Sequence, residues 1–276
     1  MADGTRSAAR RVNSEQNSQY KRILTFIIFL LTALVMLTGT FLNPFFMKRQ
    51  IRTDNNQATV VRKVNVNFNI LAGLIGASED EDANLLTVKQ TQPIADHVVD
   101  YSLGIHWLRS DSLGLAKQIL HDIDLNIDKD SSSVAQRIDD KLNKQHNNAP
   151  YFIVEAFNLN TIMLGANIAV VLLVVNLVLI VCTGISLYSL ITDMMTRMAT
   201  RMLVHDVTAA GMWAGFWLIL IFGLLALIPV AFNVEAIAVF GFLLEISSSV
   251  FLYNVIVGAL LYVICAVPWK ITAEDN

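Results

Sequence analysis

Charge is what this chain has least of. Asp, Glu, Lys and Arg make up 16% of its 276 residues, where an average soluble domain carries about a quarter. Apolar residues fill 54% of it and the mean hydropathy is +0.53. A soluble globule of this composition would expose large apolar patches, so the composition points to a membrane protein. The net charge is −3 and the basic residues form no extended patch, which argues against a nucleic-acid partner.

Cysteine is almost missing too. Cys182 and Cys265 both fall in apolar runs, and residues 44–160 have none, so that polar stretch must fold without disulfides. It also lacks any Asn-x-Ser/Thr site, which points to a bacterial rather than a eukaryotic secretory source. Enzyme signatures are absent as well. The chain has no G-x-x-x-x-G-K-[ST], no G-x-S-x-G and no H-E-x-x-H. It is read as non-enzymatic, with no cofactor and no committed metal. His97, His106, His121 and His146 are scattered. By spacing, His97 shares a helix face with Asp100 and His121 with Asp124, both read as solvated surface pairs.

What the chain has in quantity is long apolar runs. A spanning helix needs roughly 20 apolar residues. Residues 23–43, 161–191, 209–232 and 248–268 each supply that without an Asp, Glu, Lys or Arg. The first run is read as an uncleaved signal anchor, being too long for a signal-peptide core and having no small-residue cleavage site before Asn43-Pro44. Residues 233–247 are apolar but interrupted by Glu235 and Glu245. They are read as an outer connection, with Glu245 near enough to the boundary to reach water. A buried helix running into the fourth span is the competing reading.

Basic residues near the span ends set the orientation. Arg6, Arg10, Arg11, Lys21 and Arg22 precede the first span, Arg197 and Arg201 lie between the second and third, and Lys270 follows the fourth. The tails 1–22 and 269–276 and the connection 192–208 are therefore expected in the cytoplasm. Residues 44–160 are expected outside, since loops longer than about 60 residues largely escape the charge rule.

The 44–160 segment reads as helical. Val61, Val64, Phe68, Leu71 and Ile75 fall on one helix face, and the cluster SEDED (residues 78–82) ends that helix. A second helix is expected to start at Pro93, with Ile94, Val98, Tyr101, Ile105 and Leu108 as its apolar face. Leu113, Ala116, Leu120, Ile123 and Ile127 make a third face. Val134, Ile138 and Leu142 make a fourth, opened by a Ser133–Gln136 capping box. A last helix is expected to start at Pro150 and run straight into the second span, making the domain a stiff insertion. The whole is thus expected to be an all-α integral membrane protein with four transmembrane helices, and an extracytoplasmic helical domain between the first two.

Three groups of residues are candidate sites. DIDLNIDKD (residues 122–130) places Asp124, Asn126, Asp128 and Asp130 at the spacing of a calcium loop. Lys129 replaces the turn glycine and Ala135 the closing glutamate, so the stretch is read as a helix end and an acidic turn. Asp193, Arg197, Arg201 and His205 recur every four residues along an extension of the second span, with Met195, Met198 and Met202 on another face. Methionine adapts to many surfaces, so Met195, Arg197, Met198, Arg201 and Met202 are read as contacts with a partner or the membrane surface. Within the spans the deep polar residues are neutral, and Asn176, Thr183 and Asn254 are expected to pack helices together. The partners implied are the lipid bilayer and either a membrane or envelope protein or a second copy of the chain. Two function classes stay open: an interaction, scaffold or sensory component of the cell envelope, and a subunit of an oligomeric channel or transporter.

Overall fold

The computed structural model describes the backbone of residues 2–77, 85–128, 131–145, 147–232 and 243–274, and their side chains except those of 2–18, 230 and 274. It is 85% helix, with no strand among the described residues. The helices are α1 (Ala2–Gly39), α2 (Pro44–Gln50), α3 (Asp54–Leu74), α4 (Val88–Leu103), α5 (Leu113–Asn126), α6 (Ser133–Gln145), α7 (Ala149–Ala156), α8 (Leu159–Arg197), α9 (Thr200–Ala231) and α10 (Ser247–Glu274). Four of them contain stretches long and apolar enough to cross a membrane: Gln19–Gly39, Leu159–Arg197, Thr200–Pro229 and Ser247–Ala273. The SEDED cluster, Asp130, His146, Glu235 and the rest of residues 233–242 lie outside the described residues.

The chain divides into two compact units: one of Met1–Thr38, Val175–Ile228 and Phe251–Asn276, the other of Gly39–Val174 and Pro229–Val250. The first unit is built from α1, α9, most of α8 and most of α10. Its helices meet through small and polar groups. On α9, Gly211 and Gly215 stand four residues apart, and a Cβ on Gly215 would lie 2.7 Å from the Gly258 carbonyl oxygen and 2.8 Å from the Tyr262 nitrogen of α10. Only glycine lets two helix backbones approach this closely, a packing device common among helices in lipid. At the basic end, Lys21 on α1 pairs with Asp206 on α9 at 2.8 Å. A small apolar cluster of Leu24, Met194, Leu203 and Ala210 packs beside it.

The second unit has a core of large side chains. Phe68 and Leu71 from α3, Ile94 and Val99 from α4, Ile119 and Ile123 from α5, Ile138 and Leu142 from α6 and Ile153 from α7 are all buried in one cluster. Val64, Phe68 and Leu71 are indeed core residues, as the periodicity of α3 predicts. Leu243, Ile246 and Val250 join the same core. Glu245 pairs with Arg62 at 2.8 Å and with Lys63 at 2.9 Å, and its side chain is only 9% exposed. The sequence places Glu245 near enough to the boundary to reach water; in the structure two cations from α3 meet its carboxylate.

Several helix ends differ from their sequence-based placement. Helix α4 begins at Val88, not Pro93, with Gln90 Oε1 accepting from the Thr87 backbone N–H at 2.8 Å; Pro93 sits in its second turn, where it forfeits one backbone hydrogen bond. Helix α6 is capped by Ser132, whose Oγ accepts from Ala135 N–H at 3.2 Å. Between α7 and α8 the backbone of Asn158 takes φ 48°, the left-handed region that asparagine tolerates better than most residues. The helix starting near Pro150 therefore stops at Ala156 rather than running on into the second span. Helix α1 likewise ends at Gly39, and Asn43 opens a new helix by accepting from Phe45 N–H and Phe46 N–H.

Candidate functional site

The clearest break between sequence pattern and structure lies just after α4. Ile105 and Leu108 continue the apolar spacing of that helix, yet the helix ends at Leu103. Gly104 is its C-cap, with ψ 155°, and a Cβ there would come within 2.4 Å of the Asp100 carbonyl oxygen. Glycine thus lets the chain leave the helix axis sharply. In the loop that follows, Ile105 is 98% exposed, Trp107 90% and Leu108 60%. Scattered exposed apolar residues are ordinary, but three within four residues form a patch.

The loop is held in place. Asn167 on α8 accepts from the Arg109 backbone N–H at 2.8 Å and donates to the Arg109 carbonyl at 2.9 Å. Ser112 bonds Asn160 at 2.9 Å. The Arg109 guanidinium lies 4.0 Å from the centroid of the Tyr101 ring, a cation–π contact, and its buried Nε has no hydrogen-bond partner. The Tyr101 hydroxyl donates to the Asp111 carbonyl at 2.8 Å. Burial pushes the Tyr101 phenol above its ordinary pKa, against the opposing pull of Arg109. The result is a fixed loop that presents Ile105, Trp107 and Leu108 outward beside an immobilised arginine.

The structure spreads the calcium-spaced residues apart in role. Asp124 is exposed, with Asn143 Nδ2 at 3.5 Å. Asn126 donates to the Asp122 carbonyl at 2.8 Å, and Asp128 accepts from Ser131 Oγ at 3.1 Å. Among the described residues no group of three or more His, Cys, Asp or Glu side chains is placed to hold a metal. Asp139 on α6 lies near the same helix end. Burial, then the charges of Asp124 and Asp140, hold its carboxyl above the ordinary pKa. Histidine pairing also differs from the spacing argument. His97 Nδ1 meets not Asp100 but the buried Asp122, at 2.6 Å.

The polar stripe at Asp193, Arg197, Arg201 and His205 is divided. Helix α8 ends at Arg197 and α9 starts at Thr200. Arg197 pairs with Asp193 at 2.9 Å, and Tyr20 also donates to Asp193, at 3.3 Å. Arg201 and His205 instead reach Thr272 on α10, at 3.4 Å and 3.0 Å, and His205 stacks on Trp269. Met195 and Met202 are exposed, whereas Met198 packs against the Leu24–Met194 cluster. Of the intramembrane candidates, Asn176 donates across to the Leu34 carbonyl of α1 at 2.9 Å and to Thr38 Oγ. Thr183 bonds the Leu179 carbonyl of its own helix. Asn254 is buried, and neither of its side-chain polar atoms has a partner.

Asp206 escaped the sequence reading. It follows His205 in the connection 192–208 and drew no role there, yet its side chain is 2% exposed and paired with Lys21. The Gly211-x-x-x-Gly215 spacing was visible in the sequence and is the one signal that marks the α9–α10 contact. Together these features define an all-helical protein with four helices of membrane-spanning length and composition, compatible with a multi-pass membrane protein. No protein-family model, curated protein or solved structure matches the chain.

Proposed function

We propose that the chain is a non-enzymatic multi-pass protein of a bacterial cell membrane, with both termini in the cytoplasm and residues 44–160 outside. It acts as an interaction, scaffold or sensory component of the envelope, and the outer helices carry the contact. The observation that supports this best is the loop of Ile105, Trp107 and Leu108. Tryptophan and arginine are the residue types that most often dominate binding energy at protein interfaces. A loop already fixed by Asn160 and Asn167 loses little conformational entropy when it binds. A partner protein that covers this patch fits both properties.

A photo-reactive residue at position 107, introduced into the full-length protein in its native membrane, tests the reading. One defined protein adduct is expected, and Ile105→Ser with Leu108→Ser should abolish it. Adducts to lipid alone would reduce the loop to a membrane anchor. A self-adduct accompanied by ion conduction in liposomes would support the channel or transporter alternative instead.

A further inference from the structure

The four tryptophans are unevenly placed. Trp213 and Trp217 on α9 and Trp269 on α10 line one groove of about 800 Å³ within the first unit. Phe26 and Phe29 on α1 form its opposite wall. Along α9 the lining runs from His205 to Ile221, which at a rise of 1.5 Å per residue is about 24 Å. Half a bilayer, headgroups included, is about 20–22 Å thick. The groove is thus as long as one lipid is tall.

Its chemistry is graded along that length. Lys21, Arg22 and His205 stand at one end, and aromatic or small apolar side chains line the rest. The Lys21 ammonium is already matched by the buried Asp206 carboxylate. Arg22 is exposed at the mouth, and among the described residues its side chain has no hydrogen-bond or ion-pair partner. A guanidinium in that position offers a planar fork suited to a phosphate. His205 is oriented by Thr272 and by stacking on Trp269, so its ring is held at the same end. Ala209, between His205 and Trp213, keeps the floor low.

We propose that this groove is a specific site for one anionic phospholipid, drawn from the leaflet at the basic end of the unit. Its phosphate lies on Arg22, beside Lys21 and His205, and one acyl chain runs along Phe26, Phe29, Trp213 and Trp217. The inference rests on the reading that these helices cross a bilayer. It adds that one lipid is held by shape and charge together rather than by the surface charge of the basic end at large.

The tryptophans themselves provide the test. In the Trp107→Phe protein every remaining indole lines the groove. This full-length variant is placed in phosphatidylcholine vesicles containing a minor fraction of phosphatidylglycerol, with brominated chains on one lipid or the other. Bromine quenches indole fluorescence on contact, so the quenching reports which lipid is present. Brominated phosphatidylglycerol is expected to quench several-fold beyond its mole fraction, and Arg22→Gln to lower that excess about fivefold. Ala209→Phe fills the groove without changing charge and should remove the excess as well. Lys270→Gln, a basic residue at the same end that does not line the groove, should leave it in place, and added inorganic phosphate should not relieve it. Quenching in proportion to mole fraction would overturn the proposal, as would equal losses in Lys270→Gln and Arg22→Gln, or relief by free phosphate. If brominated phosphatidylcholine quenches as well, the helices are in the bilayer, so that failure is one of lipid choice. If neither lipid quenches, the membrane reading itself falls.

Discussion

The two units of this chain solve the packing problem in opposite ways. The second unit buries its large side chains: Phe68, Ile94, Ile119, Ile138 and Ile153 all lie inside one core. The first unit keeps glycine, alanine, a few polar groups and one small apolar cluster at its helix contacts, while Val178, Val181, Leu224 and Ile264, among others, face outward along its long helices. Water drives the first kind of packing through the hydrophobic effect. Lipid offers no such drive, because acyl chains are as apolar as leucine, and leaves close contact and hydrogen bonds to hold helices together. The inversion fits a chain shaped by two solvents, and on that reading the same substitution should cost very different amounts in the two units.

Truncating the second core should have the largest effect. Phe68→Ala is expected to cost about 4 kcal/mol in denaturant unfolding of the full chain, whereas Val178→Ala on the outward face of α8 should leave stability near wild type. Comparable losses at both positions would break the comparison. Next comes Gly215→Ala. Its new methyl meets the backbone of Gly258 and Tyr262 rather than a movable side chain, so a loss of about 2 kcal/mol is expected, read as earlier separation of the helices in a detergent titration.

A smaller effect is expected from Asn176→Leu, which removes the bonds from α8 to the Leu34 carbonyl and Thr38 Oγ of α1. Single interhelical hydrogen bonds in lipid average roughly 0.6 kcal/mol, so a barely measurable loss sharpens the comparison, and a loss as great as that of Phe68→Ala would contradict it. Smallest, and of opposite sign, is Asp139→Asn. The carboxyl is held above its ordinary pKa, so the folded state takes up a proton more readily than the unfolded one. The penalty is absent below the unfolded value of 3.8 and fully present once pH exceeds the raised folded value. Stability should therefore fall as pH rises through that window, and Asp139→Asn should remove this fall and stabilise slightly at neutral pH.

Much of this architecture was legible in the residues. Four uninterrupted apolar runs mark the helices of spanning length and composition, since crossing lipid demands length without charge. The face of Val64, Phe68 and Leu71 marks a core helix because water demands one apolar stripe. What periodicity does not carry is where a helix stops. Ile105 and Leu108 keep the spacing of α4, but Gly104 ends the helix, so two residues expected on its apolar face stand exposed in the loop beyond it. Asn158 likewise interrupts a pattern that looks continuous. Long-range pairs such as His97 with Asp122 and Lys21 with Asp206 depend on how helices are brought together, and spacing along the chain is silent about that. The Gly211–Gly215 pair lay in plain view, but its importance rests on Gly258 standing opposite.

Site-directed labelling with a membrane-impermeant maleimide tests the two-solvent account most directly. In a background with Cys182→Ser and Cys265→Ala, single cysteines are placed by Lys117→Cys, Val178→Cys and Ala199→Cys. The account predicts that position 117 reacts in intact cells, that 199 reacts only after permeabilisation, and that 178, exposed on the protein surface and proposed to face lipid, reacts in neither case until detergent is added. Reaction at 178 from water, or at 117 only after permeabilisation, would contradict it.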